Sequence, residues 1–376
     1  VIPARAARRF LIARHLTPLP ARPRSVLTLV RRLGALQFDP IEMAGARNHE
    51  ITLFARVRGY EKGWCERWLY GAERLLFEAY NKALNILPIE ELPYHHDAAC
   101  ASGHRKLLAR NARDVERVLA MLRADGPLPS SAFSRAIDRR VTDGWGSATR
   151  AGRLIVEGLF ITGRVAIARR EGNTRWYDLV ERLYPAELLA RKVTGLERAR
   201  HRLLTRVRGL GLLGAGGAAE LHAGIGTAAE RRALLAALTA EGILVQVDVA
   251  GVTGPRWVLA GEAPLLADPG QAPAGATLLA PLDPLLWDRR LVRELFGFDY
   301  TWEIYTPPAR RKDGAYVLPV VYGDRLAGRI EPRFDRDTGT LRIEMWRPEP
   351  GFKRTAALDE ALERYRRFVG AERLVF

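Results

Sequence analysis

The residues Gln37-Phe38-Asp39 place an amide and a carboxylate two apart inside an apolar stretch, Leu33-Gly-Ala-Leu-Gln-Phe-Asp-Pro-Ile41. A carboxylate can take a proton from water and offset positive charge that develops on a substrate, and an amide can orient that water. The pair therefore suits hydrolysis by an activated water. Asp39 also has a second local reading. In Asp-Pro-Ile-Glu it could serve as an N-cap, with Pro40 at the first helical position and Glu42 three residues beyond the cap, a capping-box arrangement. A carboxylate anchored at a helix start would stay ionised at some loss of basicity, so cap and catalysis are compatible. Gln37 has no part in the cap.

Other chemistry-bearing patterns carry less. Gly209-Leu-Gly-Leu-Leu-Gly214 spells a dinucleotide fingerprint, but the charged segment before it, Gly195 to Val207, reads as a helix where the fingerprint needs a strand. No cofactor is expected. His96, Cys100 and His104 fall on one face of a predicted helix, yet no second segment offers further ligands, so no metal is expected. No nucleophile-elbow sequence supports Ser/His/Asp catalysis. The loop Thr306-Pro-Pro-Ala-Arg-Arg-Lys-Asp-Gly314 is predicted to join two strands, with Arg310, Arg311 and Lys312 at a hairpin tip suited to probing a DNA groove.

The elements that must position these groups repeat. Short helical patterns run from Ala4 to Arg14, Arg24 to Leu36, Pro40 to Val57 and Glu61 to Tyr70. Arg74 to Tyr80 and Ala83 to Pro88 then read as strands around an Asn81-Lys82 turn, and a long helix is predicted from Ile89 to Ala124. A second helix–turn–helix–hairpin order follows, with a recognition helix from Ala148 to Gly163 and a wing from Arg164 to Leu179. Arg150 and Arg153 fall on that helix, and Arg164, Arg169, Arg170 and Arg175 on the wing, positions from which phosphates are reached. A third copy comprises Ala218 to His222, Thr227 to Glu241, and strands Ile243 to Val249 and Pro255 to Leu259. Strands then dominate: 276–280, 301–305, 315–322, 326–334 and 340–346, closed by a helix from Ala356 to Val369. The expectation is an α+β fold of three tandem winged-helix domains with a C-terminal antiparallel β-barrel-like domain. The boundaries are 1–113 (including a long connecting helix), 114–185, 186–264 and 265–376.

Composition agrees with a nucleic-acid partner. Among 376 residues, 59 Lys and Arg outweigh 43 Asp and Glu, giving +16 dispersed along the chain. Neutralising phosphates with such a surface releases condensed counterions. The two cysteines, Cys65 and Cys100, argue against a disulfide framework and suit a reducing compartment. No apolar run approaches the roughly 20 residues that span a bilayer, and the first ten residues lack a signal-peptide core. A cytoplasmic, nucleoid-associated protein with no membrane partner is expected.

Gln37-Phe38-Asp39 after an amphipathic helix, the block Leu279-Ala-Pro-Leu-Asp-Pro-Leu-Leu-Trp-Asp-Arg289, and Tyr305-Thr-Pro-Pro-Ala-Arg-Arg with Thr338-Gly-Thr-Leu resemble the YcaQ/AlkZ family of winged-helix DNA glycosylases over nearly the whole chain. The resemblance implies tandem winged helices forming a basic concave surface. It also implies hydrolysis of the N-glycosidic bond of alkylated purines, including unhooking of interstrand crosslinks in double-stranded DNA. The family pair is Gln-x-Gln in enzymes that protect antibiotic producers and Gln-x-Asp in the broader repair branch, so Gln37 and Asp39 fall with the second. The resemblance makes Tyr80 and Lys82 lesion-proximal: Tyr80-Asn-Lys-Ala83 stands where the family often has aromatic-Ala-His-Glu, and Lys82 replaces the histidine. A Schiff-base role for Lys82 is the lesser reading. The expected enzyme is a monofunctional, monomeric base-excision repair glycosylase; the alternative is a non-catalytic winged-helix DNA-binding protein or transcriptional regulator, which would normally dimerise.

Overall fold

A computed structural model describes residues 1–95, 102–142 and 148–376. The chain divides into two compact units, one made of residues 1–65 and 203–376 and the other of residues 66–202.

The discontinuous unit is organised by a five-stranded sheet. Its order is Ala276–Leu278, Leu318–Tyr322, Arg325–Asp335, Thr340–Pro348 and Arg373–Val375, antiparallel except for the last pair. Gly323 and Gly339 supply the positive φ values, 59° and 62°, that the two tight turns need. Register shifts at Val320/Val321 and Glu331/Pro332 mark bulges that curl the sheet, and Pro332 sits at one of them, where no ladder amide is lost. Helix Ala356–Val369 covers one face, burying Leu358, Leu362 and Tyr365 with Leu278, Leu318 and Ile330. Val317, Val321 and Leu326 pack on the other side with Phe10 and Leu11 of helix Ala4–Leu16 and with Leu291 and Leu295 of helix Arg289–Phe296.

Helix Arg24–Leu33 buries Val26, Leu27, Val30 and Leu33, one stripe at helical spacing, and ends at Gly34 with φ 74°. The predicted helix from Pro40 to Val57 is much shorter. It spans Asn48–Phe54, with Arg47 as N-cap and Glu50, not Glu42, returning its carboxylate to the cap amide. In this unit the third predicted copy forms helix Ala228–Ala240, capped by Thr227 and Glu230, and the pair Leu244–Val247 with Arg256–Leu259. Residues 301–305 form no strand; the Glu303 carboxylate within them accepts from the amides of Lys312, Asp313 and Gly314.

In the unit 66–202, Leu76–Tyr80 pairs with Leu84–Pro88 around the predicted Asn81-Lys82 turn. The stretch 89–124 is not one helix. It contains a 3₁₀ turn Ile89–Glu91 and helices Leu92–His95, Ser102–Arg110 and Ala112–Asp125, the last two separated by Asn111 at φ −120°, ψ 34°. Helix Ser130–Ala136 packs against Ala151–Ile161 so closely that any Cβ at Gly152 would overlap the Phe133 carbonyl. The wing Val165–Glu171 and Thr174–Leu179 turns at Gly172, φ 57°. No helix among the described residues is long and apolar enough to cross a membrane.

Candidate active site

Gln37 ends a short extended segment, Leu36–Gln37, and in an extended chain side chains two apart face the same way. Burial follows that period: Gln37 and Asp39 are half-buried, while Phe38 between them is buried. The Phe38 ring stacks on His49 at 5.2 Å, and the Arg47 guanidinium lies 5.7 Å from its centre. The aromatic residue thus fixes the segment and leaves its polar neighbours on the accessible side.

Asp39 is not a helix cap. Residues 39–47 are irregular, and Asp39 Oδ1 accepts one backbone bond, from Ile41 N–H at 2.9 Å. Its other oxygen makes no hydrogen bond among the described residues. Burial raises the carboxyl above its usual value of 3.8, and the Ile41 amide offsets only part of this. The sequence-based expectation of a carboxylate held ionised by several amides is therefore corrected: Asp39 is made more basic by its surroundings, which suits a group that must accept a proton. Glu42 bonds Arg47 at 2.8 Å and Arg336 at 2.6 Å instead of a helix amide.

The loop is tied down along its length. Met43 O accepts from Phe334 N–H, Ala44 O from the Tyr365 hydroxyl, and Gly45 O from Lys62 Nζ. Gly45 has φ 86°, and a Cβ there would lie 2.9 Å from Val369 Cβ and 3.0 Å from Phe334. Gly45→Ala is expected to lose about 1–3 kcal/mol of stability through backbone strain and overpacking and to slow catalysis by displacing Asp39. Gly351, at φ 85° with nothing near its absent Cβ, is the control. Thermal unfolding of both alanine variants isolates the packing part, and equal effects would remove it.

Asn48 joins the two motifs that stood out in the sequence. Its Nδ2 donates to Gln37 O at 3.0 Å, and its Oδ1 accepts from Leu282 N–H at 2.8 Å. Leu282 belongs to the Leu-Asp-Pro-Leu block, whose Asp283 forms a fully buried bidentate pair with Arg56 at 2.7 and 2.8 Å. Asp283 also caps Leu285 N–H, and Asp288 caps Leu291 N–H while pairing with Arg256. This block is scaffolding that holds the Gln37 backbone, a role the bare motif does not reveal.

Arg310 and Lys312 are exposed and Arg311 is half-buried. Their segment is not a hairpin tip but a loop with a 3₁₀ turn, Pro308–Arg310, closed by Glu303 beneath it. Burial opposes the charge on Glu303, yet the loop amides outweigh it and hold the carboxyl below its usual range. Sequence reasoning missed a second groove on this unit, in which three arginines are matched by Asp335, Asp337 and Glu344. Arg333, Arg336 and Arg342 line a groove around Phe334 on the turn side of Arg325–Asp335 and Thr340–Pro348. The signal available was three arginines within ten residues flanking a predicted turn.

The remaining expected residues lie in the unit 66–202. Arg150 sits in a short strand, Ala148–Arg150, just before helix Ala151–Ile161, and pairs with Asp138. Arg153 is exposed on the helix. Arg169 lies 3.6 Å over Trp176 and pairs with Glu171, Arg164 lies 3.9 Å from Glu116, and Arg175 bonds Glu157. Arg170 is corrected outright: its side chain is 5% exposed and gives Glu78 a bidentate bond at 2.9 and 2.5 Å, so it braces the wing and is not presented to phosphates. The Tyr80 hydroxyl donates to Glu157 at 2.9 Å, with its ionisation pushed up to about 12 by burial and that carboxylate. Lys82 occupies the hairpin turn, half-buried. His96 and Cys100 lie outside the described residues. The Gly209 to Gly214 stretch runs from the end of helix Gly195–Leu210 into the strand Leu213–Gly214, with no strand-to-helix turn of the phosphate-binding kind.

A mixed α+β chain with a curled C-terminal sheet and a water-accessible Gln-x-Asp pair is the class of molecule that these features define. Its fold is that of a solved structure, Streptomyces sahachiroi DNA glycosylase AlkZ, at a TM-score of 0.67 and 18% identity, covering 99% of this chain and 98% of that one. Residues 30–368 match the family described as DNA glycosylase AlkZ-like, and the chain belongs to that family. It is a DNA glycosylase, and the alternative of a non-catalytic regulator is set aside.

Proposed function

We propose that the enzyme is a monofunctional glycosylase that hydrolyses the N-glycosidic bond of N-alkylated purines in double-stranded DNA, including N7-linked interstrand crosslinks. The observation that carries this reading is the Asp39 carboxylate, with one oxygen tied to Ile41 and the other without a bond among the described residues, two residues from Gln37. Alkylation at N7 or N3 makes the base cationic, so it departs without a proton. The enzyme is then left to stabilise an oxocarbenium-like sugar and to place water. Asp39 accepts the water's proton and offsets the sugar's charge, while the Gln37 amide orients the water. Neither step needs full extrusion of the base, which a crosslink to the opposite strand would resist.

The same reading takes the chain as three winged-helix domains, 1–113, 114–185 and 186–264, before a β-barrel-like domain, 265–376, acting as a monomer in a nucleoid-associated, cytoplasmic setting. DNA contacts are assigned to Arg150, Arg153, Arg169, Arg310, Arg311 and Lys312, with Arg170 withdrawn. Tyr80 and Lys82 are assigned to the lesion's surroundings. The test is incubation with duplex containing a single N7-methylguanine or a nitrogen-mustard crosslink, scored as alkali-sensitive abasic sites. Release from both is expected, and none above the buffer rate overturns the reading.

Removing the charges at Arg310 and Lys312 together should weaken duplex binding and flatten the dependence of log K on log salt by about 0.9 for each phosphate no longer neutralised. An unchanged slope in a fluorescence titration would refute a role for that loop in binding DNA.

A further inference from the structure

The loop that follows Glu303 holds an aromatic side chain out in solvent. Tyr305 is 80% exposed, more than any other aromatic residue among the described residues. Single exposed apolar residues are common on soluble proteins, so exposure alone says little. The loop around this one, however, is built to stay in place. Thr306 N–H donates to Glu303 O at 2.9 Å, Arg310 N–H to Pro307 O at 2.8 Å, and the Arg311 guanidinium to Thr306 O at 2.8 Å. Pro307 and Pro308 have their φ angles fixed by their own rings. The Glu303 carboxylate closes the far end on the amides of Lys312 and Asp313, and Arg347 donates to Lys312 O at 3.1 Å.

The Tyr305 ring meets Trp302 edge to face, with centroids 5.7 Å apart and planes inclined by 72°. Such a contact covers at most one face of the tyrosine ring, and the high exposure leaves the other open. Trp302 in turn meets Tyr316 at 6.1 Å and packs on the cluster of Ala44, Ala46 and Tyr316, against which Ile41 and Met43 of the Asp39 loop also rest. The Tyr305 and Asp39 loops therefore share one support. Arg310 and Lys312, further along the Tyr305 loop, are exposed. An open aromatic face is thus held rigidly on a loop with two solvent-facing cations, around the same core as the Gln-x-Asp segment.

We propose that Tyr305 is a base-stacking residue for disrupted duplex: with Arg310 and Lys312 on phosphates, its open face takes a nucleobase that has lost a neighbour at the lesion. This inference rests on the reading of that loop as a DNA contact. Cations that follow a backbone and an aromatic platform for a base are the two parts from which unpaired nucleic acid is bound. In an intact duplex both faces of each base are covered, so a rigid platform finds no partner there. Departure of an alkylated purine leaves the opposite base unpaired and uncovers the bases on either side. Such bases cost least to take out of the stack. Stacking tolerates any base, because each has a π-face, so the contact suits a protein with little sequence preference. The ring thereby distinguishes disrupted from intact DNA, which the cations alone do not.

The test titrates full-length protein, over a series of salt concentrations, with two fluorescent duplexes of one sequence. One is fully paired and the other carries a central tetrahydrofuran abasic site. Tyr305→Ala should bind the abasic duplex about tenfold more weakly than wild type, bind the paired duplex within about twofold of it, and keep the salt slope. Tyr305→Phe, which retains the ring face, should match wild type on both. Because the side chain is exposed, both variants should unfold at the wild-type temperature. Wild-type affinity of Tyr305→Ala for the abasic duplex, an equal loss on both duplexes, or a loss in Tyr305→Phe as large as in Tyr305→Ala overturns the stacking role. Removing the charges at Arg310 and Lys312 separates the two readings. A flattened slope there beside wild-type binding by Tyr305→Ala ends this inference alone, while an unchanged slope ends the loop's role in DNA binding and this inference with it.

Discussion

Asp39→Asn should abolish most base release while leaving the protein at least as stable as wild type. Asparagine keeps the oxygen that accepts from Ile41 N–H at 2.9 Å, so the loop geometry is retained. It cannot accept the water's proton, and loss of a positioned general base typically costs about 10²–10⁴ in rate. The stability direction follows from the carboxyl's raised value, whose first cause is burial. A carboxyl with a folded value above its unfolded one binds its proton more tightly in the folded state. Its contribution is most favourable at low pH and falls as pH rises from the unfolded value through the folded one. At neutral pH the ionised Asp39 therefore weakens the fold, and the neutral amide relieves that. The wild-type rate should fall on acidification as Asp39 protonates, at a pH above its usual 3.8, whereas the residual rate of the asparagine variant should lack that limb. Duplex binding should hold or tighten, since a negative charge has been removed from a surface that meets phosphates. Single-turnover release, a pH profile, thermal unfolding and a duplex titration check all four, and equal release by both proteins would dismiss Asp39 as the base.

What the sequence disclosed of this site, and what it concealed, divides along the range of the forces involved. Gln37 and Asp39 stood out in the sequence by residue type and resemblance, while their common accessible face, on a short extended segment with Phe38 buried between them, appears only in the structure. The helix Ala356–Val369 and the strands around Gly323 and Gly339 were legible from apolar spacing and turn residues close in sequence. Asp39-Pro-Ile-Glu42 satisfies every local rule for a helix start and still forms none. The Glu42 carboxylate is claimed by Arg336, and the carbonyls of Met43 and Ala44 that follow it by Phe334 and Tyr365, nearly 300 or more residues away. Arg170 looked like a wing cation because nothing near it in sequence announces Glu78, 92 residues earlier. Local propensity is a weak prior where distant partners compete for the same polar groups.

The Leu-Asp-Pro-Leu block shows the same limit from the side of stability, because its aspartate is recognisable as a motif while its purpose depends on Arg56. Both side chains are fully buried, and Arg56 also donates to His15 O at 2.8 Å and Thr52 O at 3.1 Å. Removing one partner of such a pair leaves an uncompensated charge in the core, so Asp283→Ala should cost about 3–5 kcal/mol. It also frees the Leu285 amide that Asp283 accepts from at 3.0 Å. Replacing both members, as Arg56→Met with Asp283→Ala, removes the stranded cation and should recover part of the loss. Recovery should stay incomplete, because the carbonyls of His15 and Thr52 then lose their donor. The loss should reach the chemistry as well. Leu282, next to Asp283, donates to Asn48, which in turn holds the Gln37 carbonyl. Urea unfolding of the single and double variants gives the coupling directly, and a double variant no more stable than Asp283→Ala would show that the pair is not held by its charges. Release measured well below the unfolding midpoint then separates a displaced Gln37 from a merely weakened fold: a displaced Gln37 slows release in the folded protein, whereas a weakened fold leaves the folded fraction at its full rate.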